Sequence, residues 1–152
     1  MKNHSLLRAG LVFSLLLVSA CASQQVETSQ KAVNRTDEAA AVQALRNIYR
    51  QETQYSLTHA GEYGSFDDLV KENFLDERFK GRSPELAGYI FTIRLRPQSG
   101  SDSAAFAVNA DPKEAQGGSS VSGARHLYLD SISNVVRANA RQPATESDPP
   151  LQ

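Results

Sequence analysis

Residues 36–59 read TDEAAAVQALRNIYRQETQYSLTH, and the spacing of their apolar side chains decides what the rest of the chain has to do. At about 100° per residue, Ala41, Val42, Leu45, Ile48, Tyr49 and Tyr55 gather on one side of a helix, while Gln43, Arg46, Asn47, Arg50 and Gln54 gather on the other. A helix with one apolar face needs a surface to bury it against. Thr36 and Asp37 offer side-chain oxygens to the free amides of its first turn, Asp37 and Glu38 suit its positive end, and Gly61 supplies the stop.

Downstream, Gly61 and Gly64 make a turn, and Ser65 with Asp68 has the spacing of a capping box for a second, short helix that buries Phe66, Leu69, Val70 and Phe74. Leu75 and Phe79 follow in a looser helical turn that Gly81 and Pro84 end. The hydrophobic period then changes from about 3.6 to 2. Tyr89 to Leu95 alternates, with Tyr89, Phe91, Ile93 and Leu95 on one face and Ile90, Thr92, Arg94 and Arg96 on the other. A turn through Gly100 leads to a strand at Ala105 to Ala110 that buries Phe106 and Val108 and stops at Asp111-Pro112. Beyond a glycine and serine loop from Lys113 to Gly123, a third strand is expected at Arg125 to Asp130. Ser133-Asn134 turns it into a fourth at Val135 to Ala138. The expected fold is α+β: an N-terminal amphipathic helix packed on a four-stranded antiparallel sheet.

The two ends lie outside this domain, which is expected to span residues 37–141. Lys2 and Arg8 form a positive n-region, Ala9 to Val18 an apolar h-region about half the length needed to span a bilayer, and small residues precede Cys21. Residues 1–20 are therefore read as a signal peptide. Val18-Ser19-Ala20-Cys21 resembles the bacterial lipoprotein signal, which implies cleavage before Cys21, a diacylglycerol on its thiol and an acylated new amino terminus. Each buried acyl methylene contributes about 0.8 kcal/mol, so two or three chains hold a protein firmly to a membrane. Ala22 stands where the inner-membrane retention signal of Gram-negative lipoproteins has Asp, so the resemblance implies the outer membrane, facing the periplasm. Residues 21–36 are polar and aperiodic and read as a tether of roughly 20 Å. Residues 142–152, with Pro143, Pro149 and Pro150, are expected to be disordered.

Cys21 is the single cysteine, so stability must come from a core and not from a disulfide. Removing 20 of the 152 residues leaves 132, with 14 Lys and Arg against 17 Asp and Glu, a charge of about −3. No basic run or zinc spacing is present, which argues against nucleic acid as a partner.

Ala39-Ala40-Ala41-Val42, Leu45-Arg46-Asn47-Ile48, Gly61-Glu62-Tyr63, Gly88-Tyr89-Ile90-Phe91, Val108-Asn109-Ala110-Asp111-Pro112, Arg125-His126-Leu127-Tyr128 and Val136-Arg137-Ala138-Asn139 together resemble the head domain of type IV pilins and type II secretion pseudopilins. The resemblance implies the pilin head fold, a helix laid across an antiparallel sheet, and a structural rather than catalytic role. Pilins also carry a hydrophobic N-terminal helix that packs the filament core, with a Glu five residues after its cleavage glycine. Here Gly10 is followed by Leu11 to Leu15, with no Glu.

Candidate chemistry is sparse. Glu52 and His59 both fall near the apolar stripe, but seven helical residues separate them by about 10 Å. Glu52 is read as a structural carboxylate held by hydroxyls or sheet-edge amides, with Tyr55 and Ser56 as neighbours; its use as the acid or base of a lipoprotein hydrolase is the alternative. His126 and Asp130 share a strand face about 13 Å apart. No metal, cofactor or catalytic residue is expected, and Gly117-Gly118-Ser119-Ser120 lacks the Lys of a phosphate loop. Arg94 and Arg96 read as edge protection or, alternatively, a polar ligand surface. The function expected is a lipid-anchored, non-enzymatic interaction or scaffold module with a protein partner in the cell envelope. The alternative is an accessory subunit that docks onto a pilus or secretion machine through its sheet edge.

Overall fold

The computed structural model describes residues 35–113 and 124–152. The first helix, α1, runs to residue 58 and is already helical at residue 35. Thr36 therefore lies within the helix and not before it, and Glu38 is engaged with Arg125 at 2.6 Å. The buried side of α1 is Ala41, Val42, Ala44, Leu45, Ile48, Glu52 and Tyr55, the predicted stripe with Ala44 added and Tyr49 only partly buried. The stop is a Schellman turn: Ala60 takes the left-handed conformation (φ 55°) and the Gly61 amide donates back to the Ser56 carbonyl at 2.9 Å. Gly61, at φ 88°, then extends the left-handed turn in a conformation that few residues with a Cβ adopt.

Helix α2, Phe66–Lys71, is closed by the predicted capping box, with the Asp68 amide donating to the Ser65 hydroxyl and the Ser65 amide to the Asp68 carboxylate. Phe66, Leu69 and Val70 are buried, and a 3₁₀ turn at Glu77–Phe79 buries Phe79. Phe74 is only partly buried.

The sheet is antiparallel and sequential, with five strands and not four: β1 Glu85–Leu86, β2 Tyr89–Arg96, β3 Ala105–Pro112, β4 His126–Asp130 and β5 Arg137–Asn139. The unpredicted strand, β1, is two residues long and carries no alternation to read. It is held to β2 by a two-residue turn in which Ala87 (φ 50°) and Gly88 (φ 70°) are both left-handed. Asp111-Pro112 does not stop β3. Pro112 pairs opposite Tyr89 as its last residue, a position where a missing N–H costs little. The final strand starts two residues later than expected and ends one later, after a turn that Asp130 holds by accepting the amides of Ile132 (2.9 Å) and Ser133 (2.7 Å).

Register places Tyr89, Phe91, Ile93 and Leu95 beside Pro112, Ala110, Val108 and Phe106, and Val108 and Ala110 beside Leu129 and Leu127. This face meets α1 in one buried cluster with Leu45, Ile48, Phe66, Leu69 and Phe79. Tyr49 lies 5.9 Å from Phe106, and Phe79 packs edge-on against Phe91 at 6.0 Å, measured between ring centroids.

Residues 142–152 are folded, which overturns the expected disorder. The Ala144 carbonyl accepts the Asn109 side-chain amide at 2.8 Å. Pro149 accepts from the Ala138 amide at 3.1 Å, and the Leu151 amide donates to Val136 at 2.8 Å. Arg137 forms an antiparallel bridge to Pro150. The segment crosses the outer face of the sheet and then pairs along β5, so it needs no apolar period of its own. The polar groups of Asn109, Arg137 and Asn139 supply its partners.

Candidate interaction site on the open edge of the sheet

Glu52 is the first residue to place, because it is the one carboxylate among the described residues of α1 that lies inside the core. It is 0 % exposed. One carboxylate oxygen accepts the Gly64 amide at 3.0 Å, and the other has no hydrogen-bond partner among the described residues. Burial pushes the carboxyl up to about 8, against the lowering effect of the Gly64 bond and with a further rise from the Asp68 charge. The neighbours expected from helix spacing are engaged elsewhere. Tyr55 stacks on His59 with ring centroids 3.6 Å apart, and Ser56 donates to the Thr53 carbonyl. His59 meets Glu72 at 3.2 Å, not Glu52.

His126 and Asp130 are indeed apart, but His126 has a carboxylate partner that strand spacing alone hides. Asp111 of β3 lies beside it, with Nδ1 and Oδ1 2.6 Å apart. Asp130 is spent on the β4–β5 turn. Burial works against its ionisation, but bonds from Ser133 and Ile132 hold it below the usual carboxylate range. The glycine-rich stretch at 117–120 and Cys21, the expected lipidation residue, lie outside the described residues.

Arg94 and Arg96 are both exposed on the face of β2 away from α1. Among the described residues, neither has a carboxylate within ion-pair distance, as is also true of Arg46, Arg50, Lys71 and Arg82, while Arg78, Lys80, Lys113 and Arg125 each have one. Ala105 and Ala107 of β3 lie beside them, too small to fill the space on that face. The result is a shallow depression of about 200 Å³. Arg94 and Arg96 line it together with Tyr128, Ile132 and the carboxylates of Asp130 and Glu146. The Tyr128 phenol stays protonated at neutral pH, because burial and the Asp130 charge push it up to about 12.

The edge of β2 is open beside this depression. The Phe91 amide donates to the Pro84 carbonyl at 2.9 Å, so the odd-numbered residues of β2 turn their main-chain groups toward β1 and the even-numbered ones toward β3. Pro84 has no N–H with which to continue the ladder. Among the described residues, no strand pairs with the outward main-chain groups of Ile93 and Leu95. Leu95 is 41 % exposed on the α1 side of the strand and Ile93 is partly buried beside it. One stretch thus combines free main-chain donors and acceptors, an apolar flank and an unpaired cationic flank. Strand addition to a sheet edge uses these features: hydrogen bonds for affinity and alternate side chains for specificity. Searches of protein-family models, curated proteins and solved structures found no match to this chain.

Proposed function

We propose that the chain is a lipid-anchored protein of the bacterial cell envelope whose pilin-like α+β head is a non-enzymatic interaction or scaffold module. The lipid on Cys21 holds the head at the membrane, facing the periplasm from the outer membrane, and the head engages a protein partner. The observation that carries the binding role is the open β2 edge at Ile93 and Leu95. Natural sheets normally shorten, twist or cover their edges, and this head does so on its other side with the C-terminal segment. An edge left open there among the described residues, with an exposed leucine, is a docking feature. The same observation favours a more specific reading, in which the head is an accessory subunit of a pilus or secretion machine docked through that edge.

A photo-crosslinking residue at Leu95, compared with one at Leu57, tests the module in intact cells. Leu57 is 74 % exposed on the far helix and serves as the control for non-specific capture. A discrete adduct from position 95 and none from position 57 is expected. Equal labelling at the two positions, or none at position 95, would sink the proposal.

A further inference from the structure

The chemistry of the edge specifies its occupant more closely than the proposed interaction role, on which this inference rests. We propose that β2 accepts an extended segment of another protein whose side chains alternate acidic and apolar. A strand added beside residues 92–96 places its side chains on the two faces in the same alternation as β2. Those opposite Arg94 and Arg96 meet two exposed guanidinium groups with no carboxylate in ion-pair reach among the described residues. Asp130 and Glu146 line the same depression without reaching ion-pair distance, so carboxylates at those positions of the added strand supply the direct charge-assisted hydrogen bonds that the head's own acids do not. Side chains opposite Ile93 and Leu95 fall on the other face, against the exposed part of Leu95, where apolar groups are favoured. The open stretch spans about five residues, or roughly 17 Å of extended chain.

A second copy of this chain fits the edge poorly. An antiparallel pairing centred on residue 94 sets Arg94 against Arg94, and one centred on residue 95 sets Arg94 against Arg96 twice. Centring on residue 93 drives Leu95 toward Phe91, whose amide is already taken by Pro84. Like charges directly opposite are destabilising, so the arginines in two registers and Pro84 in the third disfavour self-pairing, while the arginines attract an acidic strand.

The test uses the full chain in detergent micelles and two fluorescein-labelled seven-residue peptides, one alternating Val and Glu and one alternating Val and Lys. Fluorescence anisotropy should show binding of the Glu peptide at least tenfold tighter than the Lys peptide, with the preference weakening as salt is raised. The double variant Arg94→Glu, Arg96→Glu should reverse the preference. Leu95→Pro should abolish binding of the Glu peptide, since it removes an N–H that points away from β3 and leaves the β2–β3 ladder intact. Equal affinity for the two peptides overturns the inference, as does a preference that survives the charge reversal. Slow hydrogen exchange of the Ile93 and Leu95 amides in peptide-free protein, dependent on protein concentration, overturns it in favour of a second copy. A crosslinked adduct at Leu95 in cells, with no peptide discrimination in vitro, rejects the acidic strand while leaving the interaction module standing.

Discussion

Glu52 sits on the buried stripe of α1 with one carboxylate oxygen on the Gly64 amide and the other unpartnered among the described residues, and this makes stability depend on pH in a particular window. Its carboxyl rises from 4.5 to about 8 on burial. Below 4.5 both folded and unfolded chains hold the proton. Between 4.5 and 8 only the folded chain holds it, so stability falls as pH rises, by up to about 1.4 kcal/mol per pH unit, and above 8 the dependence ends. Glu52→Gln keeps an acceptor for Gly64 and removes the titration. Relative to wild type, that variant should gain roughly 2–4 kcal/mol between pH 5 and pH 8 in urea melts. Parallel pH profiles for the two proteins would mean that Glu52 is ionised in the fold. The burial of Glu52 was legible in the helical spacing, but its partner was not. Gly64 reaches it only because the Schellman turn at Ala60 and Gly61 brings the loop back along the helix, and no periodicity records that path.

The elements divide by how much of their stability is local. Helix α1, the capping box at Ser65 and the alternation of β2 were readable because burial follows the period of the element itself. Leu45 and Phe91, both 0 % exposed on facing elements, should each cost roughly 2–5 kcal/mol when changed to Ala, and Ser65→Ala about 1 kcal/mol, in the same melts. A negligible shift for both core variants would mean that α1 does not pack on the sheet. Strand β1 and the C-terminal segment were missed because their order comes from elsewhere. β1 is held by a tight turn and by pairing to β2, and residues 143–151 by carbonyl and amide partners on the sheet's polar face. Truncation after Gln142 removes the bonds to Asn109, Val136 and Ala138 together with the partly buried Leu151, and should destabilise the head by roughly 2–4 kcal/mol. An unchanged urea midpoint would show that the segment contributes nothing.

At the scale of the whole molecule, the lipoprotein proposal requires the open β2 edge and an acylated Cys21 to work together. Among the described residues no helix is long and apolar enough to cross a membrane. Under the lipoprotein proposal, attachment rests on the chains at Cys21, and the expected polar tether would let the head present its edge within roughly 20 Å of the bilayer. Such tethering raises the effective concentration of the edge toward partners in the same membrane, so a weak strand-addition contact suffices there where it would fail in bulk solution. Cys21→Ser separates the two contributions. Without the thiol there is no diacylglycerol, so the chain should accumulate as an unprocessed precursor or as a soluble envelope form in fractionation. A processed Ser variant recovered in the membrane fraction like wild type would refute lipid anchoring. The Leu95 crosslink should weaken in the soluble form although the head still melts as wild type, because the edge is intact and only its local concentration has changed. An undiminished crosslink from a fully soluble Cys21→Ser protein would mean that the edge binds tightly enough to need no membrane tether.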